Sequence, residues 1–244
     1  MDKGFSMAHA STVAVLGAGA LGATMATRLG DGGHEVRLWN RTEDRARAVA
    51  DGAGRIAAVG VVGGAVSGSS VVITVLRDGD AVAEVMSDAI DRLDEDAVWV
   101  QASTVGPRSA GALAGLARDH GVAYLDAPVS GSPRPHDRAN RLAGRRHRGR
   151  PREGATSPRR SWLVRTPRRD ATEGSAVKLA VNAWMAASTV AMSAVLALCD
   201  ALGVDHATFV RVLEAGPLAM PYELQNSRPH GRRLLRARIR CNSP

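Results

Sequence analysis

An α/β fold, a doubly wound parallel sheet followed by a helical region, is the class this sequence predicts, and three observations predict it. Apolar, β-branched segments alternate with segments of helical periodicity through the first 131 residues. The first apolar segment runs straight into a glycine-rich turn that opens a helix. Residues 179–199, "LAVNAWMAASTVAMSAVLALC", are 21 positions without a charge, the length of a long helix rather than of a strand. Alternation of this kind specifies a parallel sheet covered on both faces, since each helix returns the chain to begin the next strand in the same direction.

The first elements lie in "STVAVLGAGALGATMATRLGDGGHEVRLWNRT", residues 11–42. Thr12 to Leu16 read as a strand. Leu21, Met25 and Leu29 then recur on one helical face, Gly30 and the Gly32-Gly33 pair are read as the end of that helix, and "HEVRLW" as a second strand. Gly17, Gly19 and Gly22 make the pattern GxGxxG, and its place between a strand and a helix marks it as a dinucleotide fingerprint of the Rossmann type. Gly17 permits the tight turn, Gly19 lets the backbone approach a pyrophosphate, and Gly22 lets the helix pack closely on the strand. Ala20 and Leu21 open the helix, whose free N–H groups and positive dipole end face the phosphates.

The end of the second strand selects the nucleotide. An NAD-preferring site places Asp or Glu there for the ribose 2′-hydroxyl. This chain has Asn40, Arg41 and Thr42, which suit a 2′-phosphate and remove the carboxylate that would repel it. NADP is therefore favoured, with NAD the alternative. Thr42 also stands where it would N-cap the helix "TEDRARAVADG", with Glu43 and Asp44 in the first turn.

Further strands are read in "VVITVL" (71–76), "AVWVQAS" (97–103) and "GVAYLDAPVSG" (121–131), with helices in "DAVAEVMSDAIDRL" and "PRSAGALAGLARDH". Ligands of such sheets sit beyond the carboxyl ends of the strands. That gathers Leu76, Ser103, Thr104, Ser130 and Gly131 around one cleft with the glycine turn, Leu76 and Thr104 on the cofactor side. The expected division is a nucleotide-binding domain over 1–174 and a long central helix with a truncated all-α domain over 175–244.

Composition sets further bounds. The 244 residues carry 32 Lys and Arg against 24 Asp and Glu, a net charge of +8. The excess is local: residues 133–173 hold 13 Arg against four acids, residues 227–244 hold six Arg and no acid, and the remainder nets −7. An acidic remainder gives no reason to expect a nucleic-acid surface. The two cysteines, Cys199 and Cys241, have neither metal-ligand nor redox spacing, so no metal site is expected and a reducing cytoplasm fits. The opening "MDKGFSMAHASTVAVLG" is too short and polar before its first strand for a signal peptide.

The order of "GAGALGATMATRL", "NRT", "STVGP", "DAPVSG" and "GSAVKLAVN" resembles that of the β-hydroxyacid dehydrogenases, the family of 3-hydroxyisobutyrate dehydrogenase and its 6-phosphogluconate dehydrogenase-like relatives, over about residues 12–132 and 174–225. The resemblance implies hydride transfer between NAD(P) and a small hydroxy acid. It implies that Ser130 and Gly131 hold the substrate carboxylate, that Lys178 is the acid/base, and that Asn182 positions the substrate. Four residues separate Lys178 from Asn182, so a helix places them on one face. Lysine can serve as proton donor or acceptor, the second role needing a pKa below its reference of about 10.4. Imine reductases, a related branch, usually replace this lysine, so Lys178 favours the hydroxy-acid side. Two departures stand out: Ser132 follows "DAPVSG" where glycine is common, and Gln101-Ala102 precede Ser103 where the family has an acidic D-x-S-T form. A homo-oligomer is implied for an intact member and is not carried to this chain.

The uncharged run 179–199 has the length of a membrane span, but its Asn, Ser, Thr and many Ala residues give little insertion energy. It is read as a helix buried between domains or subunits, with no membrane partner. The Arg-rich stretch raises a different alternative, since "RGRP" (Arg148 to Pro151) has the form of a minor-groove hook. Against a DNA-binding insertion stands the spacing from Ser130 to Lys178, which is about that of the family. The stretch holds no Lys and is rich in Arg, Pro, Gly, Ala and Ser, the amino acids of GC-rich codons. Residues 133–173 and those after 225 are therefore expected to be read out of frame, which resequencing the coding DNA would test, and 133–173 to be loosely ordered. A nucleotide-binding protein without turnover is the competing outcome.

Overall fold

Val13, Ala14, Val15 and Leu16 are all buried, and a strand buried on both faces must be central in its sheet. The computed structural model, which describes residues 11–129 and 172–216, places β1 (Thr12–Leu16) in that position. The other strands are β2 (Glu35–Trp39), β3 (Ile56–Val59), β4 (Val71–Thr74), β5 (Val98–Gln101) and β6 (Ala123–Asp126). They form one parallel sheet in the order β3-β2-β1-β4-β5-β6. The order reverses between β1 and β4, so the carboxyl ends of these two strands flank the crevice in which such sheets bind ligands.

Five helices cover the sheet: α1 (Ala20–Asp31), α2 (Glu43–Ala50), α3 (Val62–Val66), α4 (Gly79–Ser87) and α5 (Gly106–Asp119). The period-2 alternation of side chains divides the core in two. Ala14 and Leu16 pack with Val72 and Trp99, under Val66 of α3, Val82 and Met86 of α4 and Leu113 of α5. Val13 and Val15 pack on the opposite face with Val36, Leu38 and Ile73, under Ala26 and Leu29 of α1 and Ala46 of α2. Trp99 is fully buried, and its indole N–H donates to Thr74 Oγ1 at 3.1 Å, so the largest core side chain keeps no unpaired polar atom. The doubly wound Rossmann-type sheet is thus as expected.

Several local expectations are corrected. Gly30 does not end α1. The helix runs on to Asp31, its cap is Gly32, and Gly33 turns the chain into β2 at φ +91°. The helix expected over 80–93 stops at Ser87, and a separate 3-10 turn (Ile90–Arg92) places Ile90 in the core. β3 and α3 were not anticipated: "IAAV" and "VGGAV" are short and rich in Ala or Gly, so neither carries a clear period.

The chain divides into units Met1–Leu179 and Ala180–Pro244, against a division expected after residue 174. Helix α6 (Glu173–Leu202) runs through the division, and α7 (His206–Ala215) follows. In the second unit Gly203 turns the chain at φ +66°, Asp205 caps α7 by accepting from Thr208 N at 2.9 Å, and His206 Nε2 lies 2.7 Å from Asp200 Oδ1. By length and composition α6 could cross a membrane, with a mean hydropathy of 1.7. Its expected burial is not supplied by the described residues, since Trp184, Val190 and Leu202 are 65%, 70% and 69% exposed. Residues 130–171 and 217–244 lie outside the described residues, and with them Ser130, Gly131 and nearly all of the Arg-rich text.

Candidate functional site

The glycine turn leaves β1 under tight constraint. Gly17 N donates to Trp39 O at 2.8 Å, which ties the turn to the end of β2. Gly17 adopts φ +121°, and a Cβ there would overlap the Val75 carbonyl oxygen. A Cβ on Gly22 would overlap the carbonyl oxygen of Gly17, so the first turn of α1 rests directly on the loop it leaves. Gly19 differs: it is the extended N-cap of α1, no side chain caps the helix, and a Cβ would meet nothing within 4 Å. The uncapped N-terminus therefore faces open space, which is what a phosphate needs.

That space is a cleft of about 780 Å³, within the range of small-molecule and cofactor sites. Its wall includes residues 17 and 19–22 of the glycine turn and α1, residues 40–42 after β2, and Leu76 after β4. Thr104 does not line it and is exposed. Its buried neighbour Ser103 is the residue that acts on the cleft. The Ser103 hydroxyl accepts from Leu76 N at 2.8 Å and donates to Thr74 O at 3.2 Å, fixing the carboxyl end of β4 against β5. Sequence reasoning placed Ser103 at the crevice without this role, since spacing shows no cross-strand bond.

The residues after β2 divide their tasks differently from expectation. Asn40 Oδ1 accepts from Ala18 N at 3.0 Å and its Nδ2 donates to Thr42 O at 2.9 Å. Its amide thus holds the glycine turn to the β2–α2 loop, while the residue also lines the cleft. Thr42 stands at the N-cap of α2 in extended conformation, but its hydroxyl makes no capping bond. Arg41 and Arg45 both line the cleft. Arg45 was missed, although its place four residues after Arg41, in the first turn of a helix opening at Thr42, was a usable signal. Across the cleft Arg77 pairs with Asp78 at 2.6 Å. The Asp78 carboxyl is held below its ordinary pKa by the Ala81 backbone N–H it accepts as cap of α4, and then by Arg77. Replacing Asn40 by alanine removes both bonds and is expected to cost about 1–2 kcal/mol of stability. Nucleotide affinity should fall with it, read by denaturant unfolding and calorimetric titration.

The first unit carries a second cluster at the end of β6. Asp126 lies opposite Gln101 in the sheet register, and the Gln101 amide nitrogen reaches Ser103 O at 2.9 Å and Asp126 Oδ1 at 3.4 Å. Asp126 accepts from Ser175 N and Ser175 Oγ at the start of α6, at 2.6 Å and 3.0 Å. Burial raises the Asp126 carboxyl above its ordinary pKa, opposed by the hydrogen bonds from Ser175 and Gln101. Lys178 follows one turn later, half-buried, its amine pKa lowered by desolvation. Asn182 lies farther along α6 and belongs to the second unit.

Comparison with known proteins gives concordant matches. The model for the NAD binding domain of 6-phosphogluconate dehydrogenase matches residues 12–142. A probable 3-hydroxyisobutyrate dehydrogenase of Mycobacterium tuberculosis is 35% identical over 123 residues, 50% of this chain and 40% of the relative. An NAD-dependent L-serine dehydrogenase of Pseudomonas aeruginosa is 32% identical over 124 residues, 49% of this chain and 40% of the relative. The chain thus spans well under two thirds of the length of these two relatives. The solved 3-hydroxyisobutyrate dehydrogenase of M. tuberculosis, determined with L-serine, shares the fold with a TM-score of 0.68 at 23% identity, over 88% of this chain and 73% of that one. With a glycine turn, a crevice at the strand reversal and a matched model covering more than half its length, the chain belongs to the family of the NAD binding domain of 6-phosphogluconate dehydrogenase, among relatives that include 3-hydroxyisobutyrate dehydrogenases.

Proposed function

We propose that this protein is an NADP-dependent oxidoreductase that interconverts a small 3-hydroxy acid and its carbonyl form. The observation that carries the reading is the cleft at the glycine turn, where Asn40 stands at the position that an NAD site reserves for a carboxylate and Arg41 and Arg45 line the same wall. Two guanidinium groups on one wall of the cleft match the charge and donor chemistry of a 2′-phosphate. When bound, the nicotinamide supplies the hydride chemistry. This chain's residues bind, orient and move protons. Lys178, as free amine, accepts the hydroxyl proton during oxidation and, as ammonium, returns it during reduction. Asn182 orients the substrate, and Ser130 with Gly131 holds its carboxylate. Relatives named for 3-hydroxyisobutyrate and L-serine support a compact 3-hydroxy carboxylate as substrate.

Replacing Arg41 and Arg45 singly by alanine is expected to weaken NADPH binding roughly 10–100-fold each, the worth of a lost charge-assisted bond, and to leave NADH binding nearly unchanged. Titration of both nucleotides by fluorescence checks this. Equal losses for the two would end the NADP reading. Nucleotide reduction with 3-hydroxyisobutyrate or L-serine then tests the activity. A second reading, nucleotide binding without turnover, is favoured by the Arg-rich text of 133–173 standing between the two stretches of family resemblance. It requires NADPH affinity with no substrate-dependent reduction in any hydroxy acid tried.

A further inference from the structure

Asp126 and Ser175 lie 49 residues apart in sequence, yet they are hydrogen-bonded and join the end of β6 to the start of α6. The Asp126 carboxylate accepts from both polar groups of Ser175, through Oδ2 from the backbone N–H at 2.6 Å and through Oδ1 from the hydroxyl at 3.0 Å. Ser175 is 2% exposed, so water does not compete for these bonds. On its other side the carboxylate meets the Gln101 amide, itself tied to Ser103. One acid thus accepts from two elements of the first unit. A carboxylate at a helix start also satisfies an orphan N–H and lies favourably in the helix dipole.

Gly174 completes the joint. A Cβ there would overlap the Asp126 carbonyl oxygen and touch Pro128 Cδ, so the first turn of α6 begins in direct contact with the chain leaving β6. Lys178 is one turn on, and a rotation or slide of this turn would displace it first. Its desolvation is the sole cause of its shift, and no described charge contributes.

We propose that Asp126 is a positioning residue: with Gly174 and Ser175 it fixes the height and rotation of the helical turn that carries Lys178, acting through geometry rather than through its own charge on the lysine. The proposal rests on the reading of Lys178 as acid/base. The chain offers a direct probe, since its only lysines are Lys3 and Lys178. Reductive methylation of the full chain with ¹³C-formaldehyde labels these two side chains and the N-terminal amine, and NMR follows each through a pH titration. In Asp126→Ala the Lys178 midpoint is expected to rise towards the ordinary lysine value, because a loosened turn returns the amine to water. Ser175→Ala removes the hydroxyl bond, keeps the amide bond, and is expected to move the midpoint the same way by less. A fall would show that the carboxylate acts on Lys178 by charge, and an unchanged midpoint that the lysine does not depend on the joint. Either overturns the proposal. Should Asp126→Ala fail to fold, Ser175→Ala decides alone. In turnover, Asp126→Ala should lower kcat roughly 10²-fold, the scale of a 1 Å misplacement, with the NADPH Kd unchanged. Failure of the acid/base reading is separable: Lys178→Ala would then keep full turnover while the titration shifts remain.

Discussion

Replacing Lys178 by alanine is expected to lower kcat for hydroxy-acid oxidation roughly 10²–10⁴-fold, the usual contribution of a positioned acid/base, while NADPH binds as before. The expectation follows from the environment of the side chain. Lys178 sits half-buried in the first unit, one turn past the joint between Asp126 and Ser175, and burial holds its amine below the ordinary lysine pKa. A lower pKa enlarges the fraction of free amine near neutral pH, which is what a base for alcohol oxidation needs. The sign differs between directions. Oxidation should rise as pH increases through the Lys178 pKa, because the amine must be free. Reduction should fall over the same interval, because the ammonium must donate. Steady-state rates in both directions, for the parent and Lys178→Ala, check this. Parallel profiles in the two directions, or a variant with undiminished kcat, would remove the lysine from the chemistry.

How much of this was legible in sequence depends on the range of the interactions involved. The glycine turn was legible because its pattern is local in sequence, although the atoms that enforce it are not all so: a Cβ on Gly22 would meet the Gly17 carbonyl, one on Gly17 would meet Val75 after β4, and one on Gly19 would meet nothing within 4 Å. The parallel sheet followed from alternation, which places ligands beyond the carboxyl ends of the strands, but the order β3-β2-β1-β4-β5-β6 did not, since β3 carries no clear period. Asn40 was legible only in part, because its residue type suits both a ligand and a loop brace, and only geometry shows its amide joined to Ala18 and Thr42. The bridge from Asp126 to Ser175 was illegible for a different reason. It is made by the register of β6 against β5, and no period in the sequence reports which helix start that register meets. The acidic form expected at position 101 would have set two carboxylates side by side there. Gln101 instead donates to Asp126, so a departure from the family pattern becomes part of the same bridge. α6 was legible as a helix from its uncharged run, but apolar composition cannot say what covers a helix, and its exposed Trp184 and Val190 show the gap.

A single methyl group at position 22 is expected to do more harm than one at position 19, although both glycines belong to the same fingerprint. In Gly22→Ala the new Cβ would overlap the Gly17 carbonyl oxygen. That oxygen is backbone, and Gly17 is itself held by its bond to Trp39 O and by a conformation at φ +121° that other residues rarely adopt. Neither partner can yield cheaply, so α1 must shift away from β1. A loss of about 3 kcal/mol, the upper part of the range for overpacking, is expected, with NADPH binding weakened at least tenfold because the helix N-terminus moves with it. Gly19→Ala meets no atom within 4 Å and has ordinary extended geometry, so the fold should accept it within about 0.5 kcal/mol. Its methyl group would instead stand in the open space before the helix N-terminus, where a pyrophosphate must approach the backbone. NADPH affinity should therefore fall while the unfolding midpoint stays put. Denaturant melts and nucleotide titrations on the two variants separate these effects. Stability lost in both would mean the turn is constrained as a whole. Affinity retained in Gly19→Ala would mean that the phosphates lie elsewhere, because no ligand can occupy the space that the methyl group takes.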